Sequence, residues 1–228
     1  MARNLHNKAD DHVAGLLNKL IDTRTNSGDY GKAMYDLGFE FGRLIIENTS
    51  PLEDSISVAT TAEDADYLTR GIIDFLENGG KKVILTVFWN KRFTPNKENR
   101  ISIAPIFKEF HEEGYRDVKT IVIVKSIISS SCVVRTNVTK LIEESDPERI
   151  LIVAPVLLDG AKKSLENEFD DNISKKFRYF YFREDNFVEK DGTVRPGIGG
   201  DVYKRLGFES QDTKNSFTPE IVRSRRYK

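Results

Sequence analysis

Cysteine occurs once in the 228 residues, at Cys132, so no internal disulfide can staple the chain and its stability has to come from a core. An excess of one charge is also missing. The 35 Lys and Arg against 36 Asp and Glu leave a formal net charge of −1, which gives no global electrostatic reason to expect nucleic acid or an anionic membrane as partner. No apolar run reaches the roughly 20 residues needed to span a bilayer, and the opening MARNLHNKADDH lacks the apolar stretch of a secretory leader. The expectation is a cytoplasmic protein with no membrane contact. Histidine is scarce too: His6, His12 and His111 lie far in sequence from Cys132, so a Cys–His nucleophile has little support and Cys132 reads as a packed cysteine. No His, Cys and carboxylate cluster has metal-ligand spacing, and no nucleophile elbow is present. What remains, 39% hydrophobic and 31% charged residues, suffices for one sizeable core.

Apolar residues first recur at helical spacing. Val13, Leu16, Leu17, Leu20 and Ile21 make one stripe, and Met34, Leu37, Phe41, Leu44 and Ile45 a second after the break at Asn26-Ser27-Gly28. Residues 1–50 therefore read as a helical arm that covers a sheet or a second copy of the chain. From residue 51 strands alternate with helices. Residues 55–60 and 82–89 are strands around a helix at 62–76, which stops at Asn78-Gly79-Gly80. Residues 105–113 read as a short helix opened by Pro105, 120–124 as the third strand, 131–144 as its crossover helix and 149–156 as the fourth strand. A helix at 160–169 and an aromatic fifth strand at 177–182 follow. Near-continuous apolar strands between helices predict an α/β domain over 51–208, a Rossmann-like parallel sheet flanked by helices. Ligands of such sheets sit beyond the carboxyl ends of the strands, which gathers residues 60–61, 88–92, 125–132 and the segment after 156 at one rim.

Two stretches at that rim hold the chemistry. In TIVIVKSIISSSC, residues 120–132, an apolar strand runs through a serine turn into a helix whose first N–H groups have no intrahelical partner. Ser129, Ser130 and Ser131 add hydroxyl donors; the turn is either an anion site or the polar turn that any buried parallel strand needs before its helix. In KDGTVRPGIGGDVYKRLGF, residues 190–208, Gly192, Gly197, Gly199 and Gly200 make either a surface turn or a loop whose backbone approaches a ligand closely. The polar insertion 90–100, with Lys91, Arg92, Lys97 and Arg100, is either a mobile loop over the site or a solvated insertion. Residues 209–228 end in VRSRRYK and read as a solvated, partly disordered basic tail, which with the cationic insertion 90–100 would meet nucleic acid or an acidic partner.

The PGIGG in residues 193–207 resembles the C-terminal base loop of uracil phosphoribosyltransferases, where a Pro-Gly-hydrophobic-Gly-Asp sequence after a fifth strand holds uracil by main-chain hydrogen bonds. Residues 22–47 resemble that family's N-terminal arm and helix, and the third strand with its serine loop stands where the family has its phosphoribosyl pyrophosphate loop. The resemblance implies a type I phosphoribosyltransferase-like fold, a phosphorylated ribose or nucleotide ligand, and magnesium (Mg) as cofactor. Onto this sequence it carries phosphate and ribose contacts at Lys125, Ser126, Ser129, Ser130, Ser131 and Cys132, and a pyrophosphate loop at Thr60, Thr61, Ala62 and Glu63. Base contacts fall on Val194, Gly197, Ile198, Gly199, Gly200 and Asp201, while the mobile-loop cations Arg92, Lys97 and Arg100 rest on the composition of the polar insertion alone.

The sequence departs from the family at the chemistry. Where the family opens its phosphate loop with an acidic residue for the ribose hydroxyls, this chain has Lys125-Ser126, and a lysine cannot accept a hydrogen bond; it is a point cation suited to a phosphate or carboxylate. The family's Ala-Thr-Gly-Gly-Ser/Thr is replaced by serines, its loop aspartate is Gly200 with Asp201 one place later, and the arginine of its pyrophosphate loop is missing from 60–63. The function expected is transfer of phosphoribose to a uracil-like base by a homo-oligomer. The alternatives are a non-catalytic nucleotide-binding regulator or an interaction subunit that keeps the fold.

Overall fold

The apolar runs become the parallel strands of one sheet. The computed structural model describes residues 4–5, 9–91, 93–96, 101–189 and 192–226. The short strand β1 (Asn4–Leu5) is followed by helices α1 (Asp11–Ile21) and α2 (Ser27–Asn48), capped by the Asp10 and Asn26 side chains, which accept from the Val13 and Asp29 amides. Strand β2 (Ser55–Thr61) leads through a 3₁₀ turn (Ala62–Asp64) and a π turn (Ala65–Thr69) into α3 (Arg70–Asn78). Next come β3 (Lys82–Asn90), the hairpin β4 (Phe93–Asn96) and β5 (Ile101–Ile103), then β6 (Ile106–His111) and β7 (Thr120–Val124). After β8 (Ile127–Ile128) follow α4 (Cys132–Glu144), β9 (Arg149–Leu158), α5 (Ala161–Glu166), α6 (Asp171–Ser174) and β10 (Phe177–Asp185). The chain ends with β11 (Phe187–Val188), β12 (Val194–Arg195), α7 (Val202–Arg205), α8 (Gln211–Ser216) and α9 (Glu220–Arg225).

The sheet order is β1-β10-β9-β7-β2-β3-β6, with β8 beside β9. Strands β10, β9, β7, β2 and β3 are parallel, and β1 and β6 close the edges antiparallel. Alternate side chains of each central strand enter opposite cores. Val122, Val124, Leu151 and Val153 face α1, α2 and α3, whereas Ile121, Ile123, Ile150 and Ile152 face α4 and α5. Both faces are covered, which is why these strands read as unbroken apolar runs.

Several expectations are corrected. Residues 105–113 are no helix: Ile106 to His111 form an edge strand, because Ile106, Lys108 and Phe110 alternate with the outward Phe107 and Glu109 at period two, and β3 offers an open edge. The helix expected over 62–76 is broken into three turn types, since α2 lies so close that Gly38 and Gly71 pack backbone to backbone. The stripe on α1 and α2 is consumed by the chain's own core.

The tail is not a solvated appendage. Phe217 O accepts from Trp89 Nε1 at 2.8 Å, Asp66 accepts from the Glu220 and Ile221 amides at 2.8 Å each, and Ile221 and Val222 are buried. Arg225 turns inward to Glu77 and Glu112. Among the described residues, no helix is long and apolar enough to cross a membrane.

Candidate functional site

Register sets the site. Thr60 pairs with Val124 across β2 and β7, so the residue after β7, Lys125, lies against the turn after β2. The Lys125 amide donates to Val153 O at 3.0 Å, while its side chain turns inward. There Nζ donates to Asp64 Oδ2 at 2.5 Å, Glu63 Oε1 at 3.2 Å and the Ser126 hydroxyl at 3.4 Å. Thr61 donates its hydroxyl to the same Asp64 oxygen at 2.8 Å, and Lys214 Nζ of α8 stands 3.4 Å from Glu63 Oε2. Burial alone would lower the Lys125 ammonium; Asp64 and Glu63 outweigh it, and the net shift is upward. Burial alone would raise the Glu63 carboxyl, but Lys125 and Lys214 hold it below its ordinary value of 4.5.

Above this charge group lies a cavity of about 200 Å³, walled by Glu63, Lys125, Ser129, Ser130, Tyr203 and Lys214 among others. A second cavity of about 150 Å³ shares Ser129, Gly200 and Asp201 with it and adds Thr193, Val194 and Ile198. The two lobes adjoin along Ile127, Ser129, Gly200 and Asp201, so the serine loop and the glycine loop border one continuous lining.

The serine loop divides in two. Ser129 and Ser130 line the cavity with hydroxyls that have no partner among the described residues. Ser131 is engaged instead: its hydroxyl donates to Glu168 Oε1 at 3.1 Å, beside Arg135 on the same carboxylate at 2.8 Å. Cys132 opens α4 as a buried core residue, and Ser126 is fully buried yet borders the cavity. Lys125 has met carboxylates rather than phosphate.

Of the expected pyrophosphate loop, Thr60, Thr61 and Ala62 are buried, with Thr69 donating to the Thr60 hydroxyl at 2.7 Å, and only Glu63 borders the cavity. The base loop is partly spent on the fold. Ile198 O accepts from the buried Tyr30 hydroxyl at 3.0 Å, the Gly197 amide donates to Asp185 at 2.8 Å, and the Gly199 amide donates to Pro196 O. Gly199 has φ +82°, and a Cβ there would lie 2.1 Å from Leu20 O, so only glycine lets the loop pass the end of α1. Val194 and Gly200 still border the second lobe, and Asp201 is ion-paired with Lys204 at 2.9 Å. Arg92, Lys97 and Arg100 lie outside the described residues.

Asp64 and Lys214 escaped the sequence reading, and Asn90 and Tyr203 lay inside stretches it named without being singled out. Asp64 had a signal, since Glu63-Asp64 puts paired carboxylates after one strand and Lys125 a cation after its neighbour. Asn90, at the end of β3, donates to Ala104 O at 3.0 Å and Asn137 Oδ1 at 2.9 Å. Lys214 sits in a segment whose sequence is merely polar. Among the described residues no three His, Cys, Asp or Glu side chains are grouped to hold a metal. Glu63 and Asp64 face Lys125 and Asp201 faces Lys204, so the side chains present do not fit a magnesium cage built by the protein.

No family model and no curated protein matches the sequence. Among solved structures, the AQ2163 protein from Aquifex aeolicus aligns with a TM-score of 0.67 at 18% identity, over 88% of this chain and 96% of that one. That likeness shows a shared fold. Adenine phosphoribosyltransferase from Leishmania donovani aligns at TM-score 0.48 and 13% identity over 82% of this chain and 85% of its own. The hypoxanthine-guanine phosphoribosyltransferase of the same organism aligns at 0.44 and 10%, over 75% and 89%. The fold comparison rests on the first of these alone.

Proposed function

We propose that the chain is a phosphoribosyltransferase-like protein that binds a phosphorylated ribose at the rim of the sheet, with a uracil-like base as acceptor. The observation that supports this reading is the two-lobed cavity, in which unpartnered Ser129 and Ser130, just before α4, line one lobe, Val194 and Ile198 line the other, and Ser129 and Gly200 border both. Hydroxyl and helix N–H donors suit a phosphate. Main-chain groups at Val194 and Gly200 suit the edge of a planar ring. In such a site a base nitrogen would displace pyrophosphate at the anomeric carbon, and the chain would contribute positioning and donors for the departing charge, with no covalent intermediate.

The test is isothermal titration with phosphoribosyl pyrophosphate, with and without magnesium, followed by an assay for nucleotide formed from uracil. Binding with turnover supports the enzyme. Binding without turnover leaves a nucleotide-binding protein without transfer chemistry, and no binding of phosphoribosyl pyrophosphate removes the proposal. A second copy of the chain belongs to this reading, and sedimentation showing a monomer would remove that part.

A further inference from the structure

The rim holds two buried ammonium groups in unlike surroundings. Lys125 has an acceptor for each of its three donors in Asp64, Glu63 and Ser126. Lys214 is as enclosed, its side chain 8% exposed, yet its Nζ has one charged neighbour among the described residues, Glu63 at 3.4 Å. That carboxylate is already shared with Lys125. Lys214 borders the cavity, so its remaining donors are open to water or to an anion that enters there. The wall it lines also carries Ser129 and Ser130, half-exposed residues whose hydroxyls have no protein partner among the described residues. The C-terminal segment is anchored independently of Lys214, by Trp89 on Phe217 O and by Asp66 on the first turn of α9.

We propose that Lys214, brought in by the C-terminal segment, is the cation that binds the anionic phosphate end of the ligand, and that Lys125 is an internal counter-ion to Glu63 and Asp64. This rests on the phosphorylated-ribose reading above. Glu63 keeps Lys125 as partner when Lys214 turns to the ligand, and the Ser129 and Ser130 hydroxyls complete the anion's shell from the same wall. The C-terminal segment is thereby part of the binding site.

Titration with phosphoribosyl pyrophosphate compares the wild type with Lys214→Gln and Lys214→Arg. Lys214→Gln is expected to bind about ten-fold or more weakly, the size of one lost charge-assisted contact. Lys214→Arg keeps the charge and is expected to stay within about three-fold of wild type. Unchanged affinity in Lys214→Gln overturns the assignment and leaves the proposed function standing; a wild type that does not bind fails the function first and the assignment with it. Should Lys214→Gln not fold, amine acetylation of the wild type, read by mass spectrometry, decides. The ligand should shield Lys214 and leave the exposed Lys32 labelled, whereas equal labelling of Lys214 with and without ligand overturns the proposal.

Discussion

At the scale of single residues, the site is a contest between charges that hold the fold and donors that remain for a ligand. Glu63 is kept ionised by Lys125 and Lys214, and its lowered pKa fixes the sign of a pH effect. A carboxyl whose folded pKa is depressed stabilises above its unfolded value and loses that contribution as pH falls through the folded one. The melting temperature should therefore fall as pH drops below about 4.5. In Glu63→Gln it should start lower, by about 3 kcal/mol of unfolding free energy for a broken buried pair, and be flatter in that acid window. Parallel acid limbs in thermal melts of the two proteins would count against the pairing. Ser129 and Ser130 give the opposite profile. With no protein partners to lose, Ser129→Ala with Ser130→Ala should leave urea unfolding within about 0.5 kcal/mol of wild type while phosphoribosyl pyrophosphate binding weakens about ten-fold. Equal affinity in the double variant would remove the serine loop from the site.

At the scale of elements, close packing shapes the turn that presents Glu63 and Asp64. The chain leaves β2 through a 3₁₀ and then a π turn because α2 lies directly against it: a Cβ on Gly38 would stand 2.0 Å from Leu68 O, and one on Gly71 2.1 Å from Tyr35 O. Gly38→Ala should force the two backbones apart at a cost of about 1–3 kcal/mol, read as a lower urea midpoint. A variant as stable as wild type would show that the contact yields freely. The same scale explains the misread element. The run IFKEFH has period two, but the proline before it and its charged residues suit a helix opening equally well, and only the vacant edge of β3 selects the strand. The serine turn and glycine loop were legible because their composition permits little else. Their division into engaged and open groups was not, because Glu168, Tyr30 and Asp185 reach them from distant parts of the chain.

For the whole molecule, the C-terminal segment joins one end of the sheet to the other. It delivers Lys214 to the rim, buries Ile221 and Val222 in the core, and sets Arg225 between Glu77 and Glu112 at the far end of β3. A chain ending at residue 208 would lose two buried aliphatic side chains worth about 1.5–3 kcal/mol each and leave Glu112 without its cation. It should melt well below the full-length protein, and it should lose phosphoribosyl pyrophosphate binding if Lys214 is part of the site. An unchanged melting temperature would return the segment to the status of a loose basic tail.

The sequence by itself determined the α/β class, the central parallel strands, the two opening helices and which strand ends share one rim. Those follow from local periodicity and from strands buried on both faces, properties that each segment carries alone. Only the tertiary structure decided that Lys125 faces carboxylates, that Ser129 and Ser130 rather than Ser131 remain open, that β6 is a strand, and that the tail is part of the core. Each of those is a choice of partner, and partners distant along the chain leave no mark in the local pattern of residues.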